Sequence, residues 1–243
     1  MDNQGAPLVV SQAGGARNSW FSYSIPPNGV FRFQTDGSQP DAMAGWVRLI
    51  PDSGTSTPLS SGIFAYNPGN ILLTESGVPS AEESTNARIY VDLSEHRDTG
   101  LAIANIMNSN ANITLDVFRS DGSAPIGTSS ATLVLAANGH AAEFVDQFIT
   151  GLPEGFTGVL EIKSPTPFAA LTVCLLTNER NDSLLTTFPV ADANKPAPAP
   201  IVFPQIADGG GSATRVISIS PSGSSNGVSS FYDEAGKPMS IRH

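Results

Sequence analysis

The chain is 243 residues long, 40% hydrophobic and only 14% charged, with 23 Gly and 19 Pro. That length holds two sandwich-sized cores, and the surplus of turn-forming residues favours many short strands over long helices. Twelve basic residues stand against 22 acidic ones, a net charge of −10, so nucleic acid and anionic lipid find no cationic surface to bind.

The single cysteine, Cys174, excludes an intrachain disulfide framework and any multi-cysteine metal centre. No apolar run approaches the ~20 residues that a bilayer span needs, so no membrane span is expected. The opening residues have neither a basic nor an apolar leader region, so the expectation for an exported parent is that this chain is a trimmed or partial piece of it.

From the amino terminus, residues 9–12 read as the end of a strand running into Ala13-Gly14. Trp20, Phe21 and Tyr23 share the next strand, and alternation puts Phe21 and Tyr23 on the face opposite Trp20. Trp46 lies on a further strand, 45–50, and a polar connector follows at 80–86. Residues 101–106 and 113–118 are expected to form a hairpin around an Asn/Ser tract. A second hairpin is expected where 131–135 meets 142–145 through Asn138-Gly139, since Asn-Gly between apolar runs is a strong hairpin signal. One helical turn fits 146–149, with Asp146 as its cap, before Gly151-Leu152-Pro153 stops it. Three more strands are expected at 158–162, 168–176 and 184–188. The Pro/Ala segment 191–200 reads as an extended linker, followed by strands at 202–205 and 215–219 around a Gly-rich loop, 208–212.

The chain repeats itself. Gly45-Trp46-Val47-Arg48-Leu49-Ile50 matches Gly158-Val159-Leu160-Glu161-Ile162-Lys163, and Pro27-Asn28-Gly29 matches Ala137-Asn138-Gly139. Leu72-Leu73-Thr74 matches Leu184-Leu185-Thr186, and Ile89-Tyr90-Val91-Asp92 matches Val202-Phe203-Pro204-Gln205. Further, 9–14 matches 117–122, and 116–122 matches 230–236. The common period is about 110 to 114 residues, the size of an immunoglobulin-like sandwich. The expected fold class is therefore all-β: tandem antiparallel β-sandwiches, immunoglobulin-like, with a partial unit of back strands over 1–84, a complete unit over 85–197 and a partial unit of front strands over 198–243. The end pieces are placed to complete one another, within a chain or between chains by strand donation.

Candidate chemistry is sparse. His96, His140 and His243 stand apart, lack metal-ligand spacing and read as surface residues, while Cys174 sits in an apolar strand as a core filler. The loop at 92–98 gathers Asp92, Glu95 and Asp98 and is the candidate metal site, although its spacing matches no EF-hand. Trp20, Tyr23 and Trp46 are the candidate ligand platform, because exposed aromatic rings stack on sugars or on other proteins. The Gly-rich loop lacks the following Lys and helix of a phosphate cradle, no nucleophile elbow is present, and no cofactor is implied. The sequons at Asn112 and Asn181 fall in expected turns.

The stretch Phe203-Pro204-Gln205-Ile206-Ala207-Asp208-Gly209-Gly210-Gly211 with 231–238, and Gly151-Leu152-Pro153-Glu154-Gly155-Phe156-Thr157-Gly158 with 178–180 and 184–187, resembles uncharacterised tandem β-sandwich modules of bacterial secreted and cell-surface proteins. The likeness covers most of 85–243. Before that it weakens, because the first unit lacks the Gly-Leu-Pro segment. What it implies is an extracellular or cell-surface setting and no catalytic residue. The leading expectation is a non-catalytic spacer or adhesion module, partnered by other domains of its parent, by further copies of itself, or by a glycan or surface protein. The alternative is a carbohydrate-binding module of a secreted hydrolase.

Overall fold

The structure, a computed structural model, describes residues 1–239 apart from Pro40, Ile126, Pro196, Pro221 and Ser222; His243 lies outside the described residues. It is almost entirely β, and all its strand pairs are antiparallel. Two short strands, β1 (Val10–Ser11) and β2 (Arg17–Asn18), pair near the amino terminus, and a hairpin of β3 (Ser61–Tyr66) and β4 (Thr74–Pro79) follows. Eight strands then build one connected sheet system: β5 (Glu83–Asp92), β6 (Arg97–Asn105), β7 (Ala111–Arg119), β8 (Ser130–Leu135), β9 (His140–Phe144), β10 (Thr157–Thr177), β11 (Ser183–Phe188) and β12 (Ala191–Asp192).

The organising element is β10, 21 residues long, where two strands were expected. Its first half, 157–163, pairs with β5 on one side and β7 on the other, and its second half, 168–177, pairs with β6 and β11. The register shifts between Lys163 and Phe168, at Ser164-Pro165-Thr166-Pro167, because proline has no N–H to give a ladder. One strand therefore serves two arms, β12-β5-β10-β7-β8 and β11-β10-β6-β9. Alternate residues of both arms converge on one core of Ile89, Leu101, Ile103, Leu115, Leu160 and Ile162 with their neighbours, each of these six at most 1% exposed.

Both expected hairpins of this unit are corrected. β6 and β7 do not pair with each other, since β6 lies between β10 and β9 while β7 lies between β10 and β8. The 106–110 link crosses from one arm to the other, and Asn105 fixes the crossing by donating its side-chain amide to Ser109 O and Ala136 O, both at 2.7 Å. Asn138-Gly139 likewise joins β8 and β9 of different arms, although Asn138 takes the left-handed φ of 57° that Asn tolerates. The helical turn α1 (Val145–Phe148) forms one residue earlier than expected, with the Phe144 N–H held by Gln147 Oε1 at 2.8 Å and Asp146 inside the first turn instead of capping it. The polar connector shrinks to 80–82, because β5 already starts at Glu83, and the Pro/Ala linker begins inside the fold as β12. Asn112 lies on an exposed position of β7, and only Asn181 sits in a turn.

Five turns among the described residues, at 2–6, 12–16, 119–123, 178–182 and 233–237, share one hydrogen-bond pattern. Gln12 N donates to Ala16 O (3.0 Å) and Gly15 N to Gln12 O (3.0 Å); Arg119 N donates to Ser123 O (2.7 Å) and Gly122 N to Arg119 O (2.8 Å). Asp233 N donates to Lys237 O (2.9 Å) and Gly236 N to Asp233 O (2.9 Å). The β3-β4 hairpin is paired from Ser61↔Pro79 to Tyr66↔Thr74, and β10 and β11 from Thr172↔Phe188 to Thr177↔Ser183. Residues 19–60 and 198–239 otherwise run with no described strand, and several of their apolar side chains stay in solvent: Val30, Val47, Val202 and Val228 are all more than 70% exposed.

Candidate functional site

Strand alternation that sends Ala87, Ile89 and Val91 into the core turns Arg88, Tyr90 and Asp92 outward, and the same rule on β10 presents Val159, Glu161 and Lys163. Register sets Glu161 directly opposite Arg88. Arg88 reaches Glu161 Oε1 through Nε (3.2 Å) and Nη2 (2.8 Å), and Lys163 takes Oε2. Glu161 is buried on this outward face; burial alone would raise its pKa, but the hydrogen bonds from Lys163 and Arg88 outweigh it and hold the carboxyl below the ordinary range. Asp92, also buried, receives Ser94 N (3.1 Å) on Oδ1 and Arg215 Nη1 (3.2 Å) on Oδ2, with Arg97 Nε at 3.9 Å.

This cluster does structural work. Its carboxylate oxygens accept hydrogen bonds from Arg88, Lys163, Arg215, Tyr90 and Ser94. It also fastens the following segment, for Arg88 Nη1 donates to Ser220 O (2.8 Å) while Arg215 reaches Asp92. Sequence alternation puts Arg88 and Glu161 on outward faces, but nothing in it brings together residues 73 positions apart. The opposite end of the unit holds the amino-terminal segment: Trp46 Nε1 donates to Asn138 O (2.9 Å), Arg48 Nη2 to Ile106 O (2.7 Å), and Asn3 Oδ1 lies 2.9 Å from His140 Nδ1. His140 is thus buried and corrected from the surface, whereas His96 stays exposed beside Glu95 at 3.4 Å.

The candidate metal residues are not brought together. Asp92 is committed to Arg215 and Ser94, Glu95 projects into solvent, and Asp98 holds a buried Oδ1 with no partner. Burial first and the Asp146 charge second push the Asp98 carboxyl up. Among the described residues no group of three His, Cys, Asp or Glu side chains is placed to hold a metal ion. Cys174 is buried on β10, and desolvation followed by the Asp92 charge raises its thiol, leaving it unreactive.

The aromatic candidates divide as well. Trp20 is 71% exposed, while Phe21 and Tyr23 on the other face meet Phe33 (4.6 Å between ring centroids) and Phe31 (6.1 Å). Trp46 is half-buried, its indole bonded and its ring covered by the Arg48 guanidinium at 4.8 Å. An open recess of about 370 Å³ lies between the 119–121 turn and the 153–157 loop, where Asp121 already accepts from Ser123.

No family model matches the chain, and no curated protein does. A solved structure from Thermotoga maritima, protein 1070, aligns with 44% of this chain and 92% of its own length at 14% identity and a TM-score of 0.36. Among the described residues no helix is long and apolar enough to cross a membrane.

Proposed function

We propose that this chain is a non-catalytic spacer or adhesion module, built of immunoglobulin-like β-sandwich repeats and carried by a bacterial secreted or cell-surface protein, where it projects or links other domains. The observation that carries the reading is a pair of antiparallel hairpins, β3-β4 paired from Ser61↔Pro79 to Tyr66↔Thr74 and β10-β11 paired from Thr172↔Phe188 to Thr177↔Ser183, at an interval close to the repeat of the sequence. The left-handed Asn at both Asn28 (φ 62°) and Asn138 (φ 57°) supports it. A chain whose units follow one another through short connectors is suited to span distance. Its charged groups form clamps between segments, as Arg88 and Arg215 do.

The second reading, a carbohydrate-binding module, keeps one observation in its favour, the exposed indole of Trp20. Tryptophan fluorescence titrated with a panel of polysaccharides, beside a broad hydrolase screen, separates the readings. Flat titrations without turnover are expected. Saturable quenching that disappears in Trp20→Ala transfers the function to sugar binding, and turnover lost on changing a carboxylate makes the chain an enzyme.

A further inference from the structure

The two flanking segments are unsatisfied in complementary ways. In the complete unit, Leu160 of β10 lies opposite Ile89 of β5, and both are fully buried. Their sequence counterparts are Val47, 82% exposed, and Val202, 74% exposed. The same holds along the next stretch of that strand: Ile162 is fully buried and its counterpart Leu49 is 45% exposed. Segment 45–50 therefore has the sequence of the first half of β10 without a β5 beside it. Hairpin β3-β4 matches β10-β11 but lacks the β6 that pairs with the second half of β10. Residues 201–220 supply the missing counterparts, a β5-like strand at 202–205 and a β6-like strand at 215–219.

Among the described residues the two segments are anchored at different ends of the unit. Trp46 and Arg48 are bonded at the end of the unit where β6 leaves for β7, whereas Arg215 is bonded to Asp92, beside the start of β6. β6 is nine residues long, which sets these anchor points roughly 25–30 Å apart. Among the described residues no backbone hydrogen bond or bridge joins 1–79 to 198–239. Exposed strands with unpaired edges and apolar faces are templates for another chain. A heterologous contact of this kind propagates head to tail.

We propose that residues 201–220 of one copy add to the strand-like segment 45–50 and to β3 of a second copy, completing there the sandwich that residues 83–192 form by themselves, with Val202 opposite Val47. This rests on the repeat reading above, but it is tested apart from it, since neither sugar titration nor turnover reports on assembly.

The experiment uses the full chain. Light scattering after size exclusion, from 1 to 100 µM, is expected to show mass rising beyond one chain with concentration, and Val202→Lys to weaken that rise at least tenfold. Val47→Cys and Val202→Cys, made as separate variants and mixed under mild oxidation, are expected to give a disulfide-linked pair of chains. Cys174 is buried and leaves the unmodified chain as the uncrosslinked control. A mass of one chain at every concentration overturns the proposal, and so does assembly in which the mixed variants do not crosslink. An intrachain disulfide in monomeric Val47→Cys/Val202→Cys overturns it in favour of closure within one chain.

Discussion

Single side chains in the core of the complete unit already separate what holds it from what burdens it. Thr172 sits fully buried at the middle of the second half of β10, and its Oγ1 has no hydrogen-bond partner. A buried hydroxyl left unpaired costs about 1–3 kcal/mol, so Thr172→Val is expected to raise stability by about 1 kcal/mol in urea denaturation. A loss of that size would mean the hydroxyl is bonded in solution. His140 burdens the fold in another way, because burial holds its pKa below 6.5 and so disfavours the charged ring. Unfolded chains then bind a proton at His140 that folded chains refuse, and stability falls as pH drops below about 6.5 until the folded value is passed. Glu161, held low by Lys163 and Arg88, works on a different range: its contribution is present above the carboxylate value near 4.5 and is lost only below it. Melting temperatures at pH 7.5 and 5.5 should therefore fall more for the unmodified chain than for His140→Gln. Equal falls would show that Asn3 and the neighbouring backbone accommodate the imidazolium.

At the scale of elements, the alternation of apolar residues was enough to find β7, β8 and β11 within two residues of their bounds and β6 within four, because a strand buried on one face writes its period of two into the sequence, whereas the first half of β5 was read as a polar connector. The pairing of those strands was not legible. Ile106 to Ala111 and Leu135 to His140 look like hairpin turns locally, and only the side-chain amide of Asn105, bonding both links at once, shows that they cross between arms. The candidate site fared likewise: Asp92, Glu95 and Asp98 are close in sequence, but alternation and register send them to different neighbours, while Glu161 finds Arg88 from far away. Glycine marks one junction clearly. A Cβ on Gly158 would stand 2.0 Å from the Phe118 carbonyl oxygen, whereas one on Gly100 meets only Val173 Cγ2 at 2.7 Å, the tip of a side chain that can turn. Gly158→Ala must push β7 off β10 and is expected near the top of the 1–3 kcal/mol range for overpacking, with Gly100→Ala well below it. Comparable losses in the two variants, by thermal or urea unfolding, would show that β7 moves as easily as the Val173 rotamer.

For the whole molecule, the decisive contrast lies between the packed sheet system of residues 83–192 and the flanks on either side of it. Leu160 and Val47 occupy matched places in two similar stretches of sequence, yet the first is fully buried and the second is 82% exposed. Apolar burial is worth about 25 cal/mol per Å² only when the surface leaves water. Leu160→Ala should therefore cost about 2–5 kcal/mol at any protein concentration, as buried leucines do. Val47→Ala should leave the unfolding of a dilute chain within about 0.5 kcal/mol of the unmodified protein, because an exposed valine removes nothing from a core. The two substitutions converge where copies assemble, since a partner strand laid over Val47 gives it the environment that Leu160 has from β5. Unfolding followed at 1 and at 100 µM measures this: the effect of Val47→Ala should grow with concentration while that of Leu160→Ala stays constant. A Val47→Ala cost as large as that of Leu160→Ala in dilute solution would place Val47 in a core closed within its own chain.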